Sequence, residues 1–114
     1  MNIEDYRNYC LRKPGTAEEF PFDDRTLVFK VGGRMYALTD IDEFQSINLK
    51  CDPDLALQLR EKYPAVLPGY HMNKKHWNTI LMDGTVPDRV VYEWIDLSYQ
   101  LVYDKLPGRI KTNL

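Results

Sequence analysis

The feature that most constrains this chain is a pair of alternating segments joined by two glycines. Thr26–Val31 alternates in polarity and puts Leu27, Phe29 and Val31 on one face. Gly32-Gly33 follows, a two-residue pair suited to a tight turn at positive φ, and Arg34–Thr39 returns as a second strand. Strands joined this closely are antiparallel. Asp40–Glu43 makes an acidic turn, and Phe44–Cys51 reads as a third strand with Ile47, Leu49 and Cys51 on its apolar face. Asn48 and Lys50 point the other way, which predicts a sheet with one wet side.

Helices flank this core. Asn2 is placed to cap a first helix that carries Glu4 and Asp5 in its first turn and Ile3, Tyr6 and Cys10 at helical spacing. Pro14-Gly15 stops it, and residues 13–24 read as a loop pinned to the core by Phe20-Pro21-Phe22. Asp52-Pro53-Asp54 opens a second helix with Leu55, Ala56, Leu59 and Tyr63 as its buried stripe, and Pro64 ends it. Ala65–Tyr70 is then a loop, His71-Met72 starts a short strand, Asn73-Lys74-Lys75 turns the chain back, and His76–Met82 forms the last strand. A third helix runs from Pro87-Asp88 to about Asp104 with Val90, Val91, Trp94, Ile95, Ser98, Leu101 and Val102 on its apolar face. Pro107-Gly108 stops it before a basic tail.

The expected architecture is one α+β domain over residues 1–114. Its order is α-β-β-β-α-β-β-α, with a mostly antiparallel sheet and helices packed on one face. That order excludes a Rossmann unit, which needs repeated βαβ crossovers. Of the 114 residues, 44% are hydrophobic and 28% charged, enough to build a core without disulfides or metal. No apolar run approaches the length of a membrane span, the N-terminus lacks the pattern of a signal peptide, and Cys10 and Cys51 form no disulfide framework. The expected setting is therefore a reducing cytoplasm.

No catalytic motif is present, and no enzyme is predicted. Cys10 with His71 or His76 would make a thiol–imidazole pair, but Cys10 lies on an apolar stripe and reads as a core cysteine, as does Cys51. His71 and His76 lack a third metal ligand nearby. The acids Asp40, Asp42, Glu43, Asp52 and Asp54 fit a solvated turn and a helix cap better than a cation loop. No cofactor is expected.

Charge is unevenly spread. The net charge is −2, residues 1–57 hold seven bases and eleven acids, and residues 58–114 hold eight bases and six acids. No acid occurs from Lys62 to Met82. Within that stretch Lys74 and Lys75 are placed to meet phosphates at a hairpin tip, and Asn73, His76 and Asn78 to donate hydrogen bonds. Lys30 and Arg34 flank the glycine turn as further phosphate contacts. Tyr70 is a stacking candidate, whereas Trp77 reads as core. The whole describes a weak, salt-dependent DNA surface. The alternative is a protein partner or homodimer using Tyr92, Tyr99 and Tyr103, which share one face of the third helix with Asp96.

Three segments carry a resemblance: Pro14–Phe22, with Val28 through Leu38; Pro68 through Thr79; and Ser98 through Val102. Together they resemble the MmcQ/YjbR family. The resemblance implies a small fold similar to frataxin (CyaY-like) and to the double-wing DNA-binding domain of the phage transcription factor MotA. It names no catalytic residue. A frataxin-like role would imply iron on an acidic first helix, but here Glu4 and Asp5 are mixed with Arg7, Arg12 and Lys13. The double-wing likeness would place DNA on the sheet and its hairpins.

Overall fold

The computed structural model describes residues 1–114. Helix α1 (Ile3–Leu11) is capped as expected: the Asn2 side chain accepts from the Asp5 N–H at 2.8 Å, and the Asp5 carboxylate accepts from the Asn2 N–H at 3.2 Å. Strands β1 (Thr16–Glu19), β2 (Thr26–Val31), β3 (Arg34–Asp40) and β4 (Ser46–Lys50) follow. Next come α2 (Pro53–Lys62), β5 (Val66–Pro68), β6 (Trp77–Leu81), α3 (Asp88–Asp104) and α4 (Gly108–Thr112). The six strands form one sheet in the order β1-β2-β3-β4-β6-β5, antiparallel throughout.

The α+β class and the antiparallel sheet match the expectation, while the element order gains β1 and α4. The 13–24 loop contains β1, whose exposed Glu18 and Glu19 hide it from any search for apolar alternation. Phe20 and Phe22 do not pin that loop to the core: they are 48% and 63% exposed. The short strand lies at Val66–Pro68, inside the expected 65–70 loop, and His71-Met72 is a turn with His71 at φ 57°. The third strand begins at Ser46 rather than Phe44, because Phe44 takes φ 47°, outside the strand region. In α2 only Ala56 is fully buried; Leu55, Leu59 and Tyr63 are half-covered. The basic tail folds back as α4, with Leu106 and Ile110 over the glycine turn.

The main core lies between the helices and the inner face of the sheet. It gathers Leu27, Phe29, Val31, Ile47, Leu49 and Ile80 with Tyr6 and Cys10 of α1 and Val91, Trp94, Ile95 and Val102 of α3. One irregularity shapes the outer face of the sheet. The β2–β3 register slips between Phe29 and Lys30, so Phe29 faces Ala37 but Lys30 faces Met35, leaving Tyr36 as a bulge residue. Both Tyr36 and Ala37 thereby enter the inner core, while Met35 turns outward. The outer face is not simply wet. Val28, Leu38 and Trp77 form a second, smaller cluster there, with Met35 and Met72 packed against it.

Candidate nucleic-acid interface

The outer face owes its shape to where the β3–β4 ladder stops. Ala37 pairs with Leu49, and beyond that pair the ladder ends. The Ser98 hydroxyl of α3 bridges the gap: it accepts from the Lys50 N–H at 2.9 Å and donates to the Tyr36 carbonyl. A polar residue on the apolar stripe of α3 thus holds two strand ends together and fixes Lys50 at the rim of the sheet.

Across this region a row runs over four neighbouring strands. Lys30 of β2 faces Met35 of β3, Lys50 of β4 faces Trp77 of β6, and Met35 and Lys50 lie on adjoining strands. With Pro21, Phe22, Gly33 and Arg34 these four line an open basin of about 510 Å³. Its floor is apolar and its rim cationic. Lys30 is paired with Glu19 at 3.3 Å, whereas Arg34 and Lys50 are in no ion pair. The Arg34 guanidinium donates to the Lys105 carbonyl at the C-terminal end of α3, at 3.4 Å. Burial, followed by the positive charges of Lys105 and Arg34, holds the Lys50 ammonium below the usual lysine range.

Of the residues singled out from the sequence, Lys30 and Arg34 meet in this basin. Asn73, Lys74, Lys75 and His76 do not line it; they occupy the loop between β5 and β6. That loop adjoins the outer cluster through Met72. Asn73 is occupied locally, its side-chain oxygen accepting from the Lys75 N–H at 2.9 Å and the His76 N–H at 3.2 Å. The Lys74 ammonium donates to the Gly69 carbonyl at 3.0 Å, Lys75 is exposed, and His76 is half-buried. Asn78 is not a base-edge donor. It is buried on the helix side, where it accepts from Arg60 Nε at 2.7 Å and donates to the Ala56 carbonyl at 3.3 Å. Arg60 also donates to the carbonyls of Trp77 and Lys74, so one α2 side chain ties the end of the loop to the start of β6. Tyr70 is 69% exposed beside the His71 ring.

Lys50 was not among the residues expected to contact nucleic acid, although its outward direction was legible from the alternation of its strand. Phe22 was missed because an aromatic beside proline looks like a core anchor. The third-helix tyrosines are largely absorbed within the chain. Tyr99 is buried and donates to the Pro14 carbonyl, Tyr92 lies against Tyr9 with ring centres 4.2 Å apart, and Tyr103 stacks on Tyr99.

Comparisons with known proteins identify the family and the fold. The YjbR family model matches residues 11–101. The chain belongs to the YjbR family. It is 34% identical to the uncharacterized protein YjbR of Escherichia coli K12 over 108 residues, which cover 94% of this chain and 92% of that one. It is 29% identical to the uncharacterized protein YyaQ of Bacillus subtilis, covering 89% of this chain and 98% of that one. The crystal structure of Deinococcus radiodurans protein DR2400, a DUF419 domain, superposes with a TM-score of 0.91 at 44% identity, covering 98% of this chain and 86% of that one. A protein from Pseudomonas syringae superposes with a TM-score of 0.76 at 32% identity, covering 90% of this chain and 99% of that one. All eight residues that line the basin lie within the segment matched by the YjbR family model, and Lys105 lies just outside it.

Proposed function

We propose that this YjbR-family chain is a non-enzymatic, cytoplasmic DNA-binding protein that takes nucleic acid weakly on the outer face of its sheet. The observation that carries the reading is the basin: Lys30, Arg34 and Lys50 around a floor of Met35 and Trp77, with exposed Phe22 at its edge. A cationic rim beside an accessible aromatic suits a phosphate backbone with stacked bases. Lys75, with Lys74 beside it, extends the positive surface past Met72. With a net charge of −2, affinity belongs in the non-specific range of about 10⁻⁴ to 10⁻⁶ M. Thiol chemistry is disfavoured: burial pushes the Cys10 thiol up to about 12 and the Cys51 thiol up to about 11, far from thiolate at neutral pH.

The test is an anisotropy titration of labelled single-stranded and duplex DNA at several salt concentrations. Each phosphate contact contributes a slope of about −0.9 on duplex and about −0.7 on single strands. Replacing Arg34 and Lys50 together by Ala flattens the slope by about two contacts' worth. Absence of salt-dependent binding at low ionic strength defeats the DNA reading and leaves a protein partner in its place.

A further inference from the structure

Duplex DNA is read by something that projects: a helix or a two-stranded ribbon that enters a major groove about 12 Å wide. Neither connecting loop at the edge of the outer face stands clear of the body to do this. The β2–β3 turn lies against the C-terminal segment, so close that a Cβ on Gly32 would meet Leu106 at 2.6 Å and Ile110 of α4 at 3.0 Å. The loop between β5 and β6 is tied down as well. The Lys74 ammonium donates to the Gly69 carbonyl at 3.0 Å, Arg60 of α2 donates to the Lys74 carbonyl, and Met72 packs on the outer cluster. The wings that a double-wing mode would need are held against the molecule.

What the outer face presents instead is concave, with an apolar floor of Met35 and Trp77 and exposed Phe22 at its edge. Phe22 stands in the connection between β1 and β2, yet it lines the same basin as Gly33 and Arg34 beyond the far end of β2. That connection therefore folds back over the sheet and carries its aromatic ring to the basin. Cations here are few. Arg34 is in no ion pair, but Lys30 is paired with Glu19 at 3.3 Å, and Lys50 borders both the basin and the cleft that holds Asp52 and Asp104. Phosphate attraction is correspondingly small for any form of DNA, and contact with a base face is what separates one form from another. In a duplex those faces are stacked on one another. In a single strand they are free, and their stacking on an aromatic side chain tolerates any sequence.

We infer that the basin selects single-stranded DNA over duplex, with Phe22 stacking on one unpaired base above the Met35 and Trp77 floor. This deepens, and rests on, the nucleic-acid reading of the same basin.

The experiment compares three ligands of one length: a thymidine single strand, a duplex, and a single strand of abasic residues that keeps the phosphates and lacks the bases. Affinities are measured at several salt concentrations for the wild-type chain, Phe22→Ala and Phe22→Trp, with circular dichroism confirming that each variant is folded. The wild type is expected to bind the thymidine strand about tenfold more tightly than the abasic strand, the worth of one base–aromatic stack, and more tightly than the duplex. Phe22→Ala is expected to bring the thymidine-to-abasic ratio below about threefold and to leave the salt slope unchanged, because it removes no charge. Phe22→Trp is expected to keep the ratio. Equal wild-type affinity for the thymidine and abasic strands, or duplex binding as tight as that of the thymidine strand, overturns the single-strand inference while the DNA reading stands. A base preference that survives in Phe22→Ala overturns the assignment to Phe22. If no ligand shows salt-dependent binding, both readings fail together.

Discussion

Replacing Ser98 by Ala removes one oxygen from the interior and leaves two backbone groups without partners. The Tyr36 carbonyl lies in the fully buried core, and the Ser98 hydroxyl is its donor. A buried acceptor stripped of its partner costs about 1–3 kcal/mol. The Lys50 N–H is part-buried and loses an acceptor at 2.9 Å, which adds about 1 kcal/mol. The space vacated by a hydroxyl oxygen is too small to admit a water that would restore either bond. The sum is about 2–4 kcal/mol, a large part of the 5–15 kcal/mol expected of a domain this size. At about 4 °C per kcal/mol the melting temperature falls by about 8–16 °C. Urea denaturation is the assay, with the midpoint shifting and the slope m unchanged. Gln100→Ala, two residues on and exposed, is the control and should stay within about 0.5 kcal/mol. Because Ser98 positions Lys50, Ser98→Ala should also weaken DNA binding although it removes no charge. A Ser98→Ala midpoint within about 0.5 kcal/mol of wild type refutes the bridging role.

Trp94, 9% exposed and edge-on to Tyr63 at 5.1 Å, should cost about 3–5 kcal/mol when replaced by Ala, measured by the same denaturation; an unchanged midpoint contradicts its place in the core. Gly32→Ala should destabilise more than Gly33→Ala by at least about 1 kcal/mol. Both glycines hold positive φ, but only at Gly32 would a Cβ meet Leu106 at 2.6 Å, while Gly33 faces open space, so equal costs refute the packing argument. Stability should fall in acid. The Arg7 hydrogen bond holds the Glu18 carboxyl below its ordinary range, and backbone N–H groups of Arg25 and Thr26 do the same for Asp23. A depressed folded-state pKa contributes stability that is complete above the ordinary carboxylate range and is lost as pH falls through the lowered value. The urea midpoint should therefore drop between about pH 6 and about pH 3, less steeply in Glu18→Gln, and a flat profile contradicts it.

Much of the fold was legible because local signals and tertiary demands agreed. Thr26–Val31, the glycine turn and the returning strand appear where alternation put them, with Leu27, Phe29 and Val31 all buried. The third helix spans Asp88–Asp104, close to its punctuation by Pro87 and Pro107-Gly108. The misses have a common physical origin. Strand β1 is an edge strand with exposed glutamates, and β5 is three residues long, so neither carries the apolar period that marks a half-buried strand. The bulge at Tyr36 reverses the outlook of Met35, which a strict period of two cannot show. The candidate site was half legible. Lys30 and Arg34 stand beside a turn visible in sequence, but their meeting with Lys50 and Trp77 depends on strand order, in which β6 lies next to β4. The loop lysines were visible as charge, while the Lys74 bond to Gly69 and the Arg60 anchor depend on long-range packing.

The claim that nucleic acid occupies the outer face is tested most directly by titrating ¹⁵N-labelled protein with single-stranded DNA and following amide and indole resonances. The largest shifts are expected at Lys30, Gly33, Arg34, Met35, Lys50 and the Trp77 indole, a smaller set at Met72 through Lys75, and none on the opposite face at Tyr9, Tyr92 or Asp96. Shifts centred on α1 and α3, or a spectrum unchanged at millimolar DNA and low salt, would contradict it.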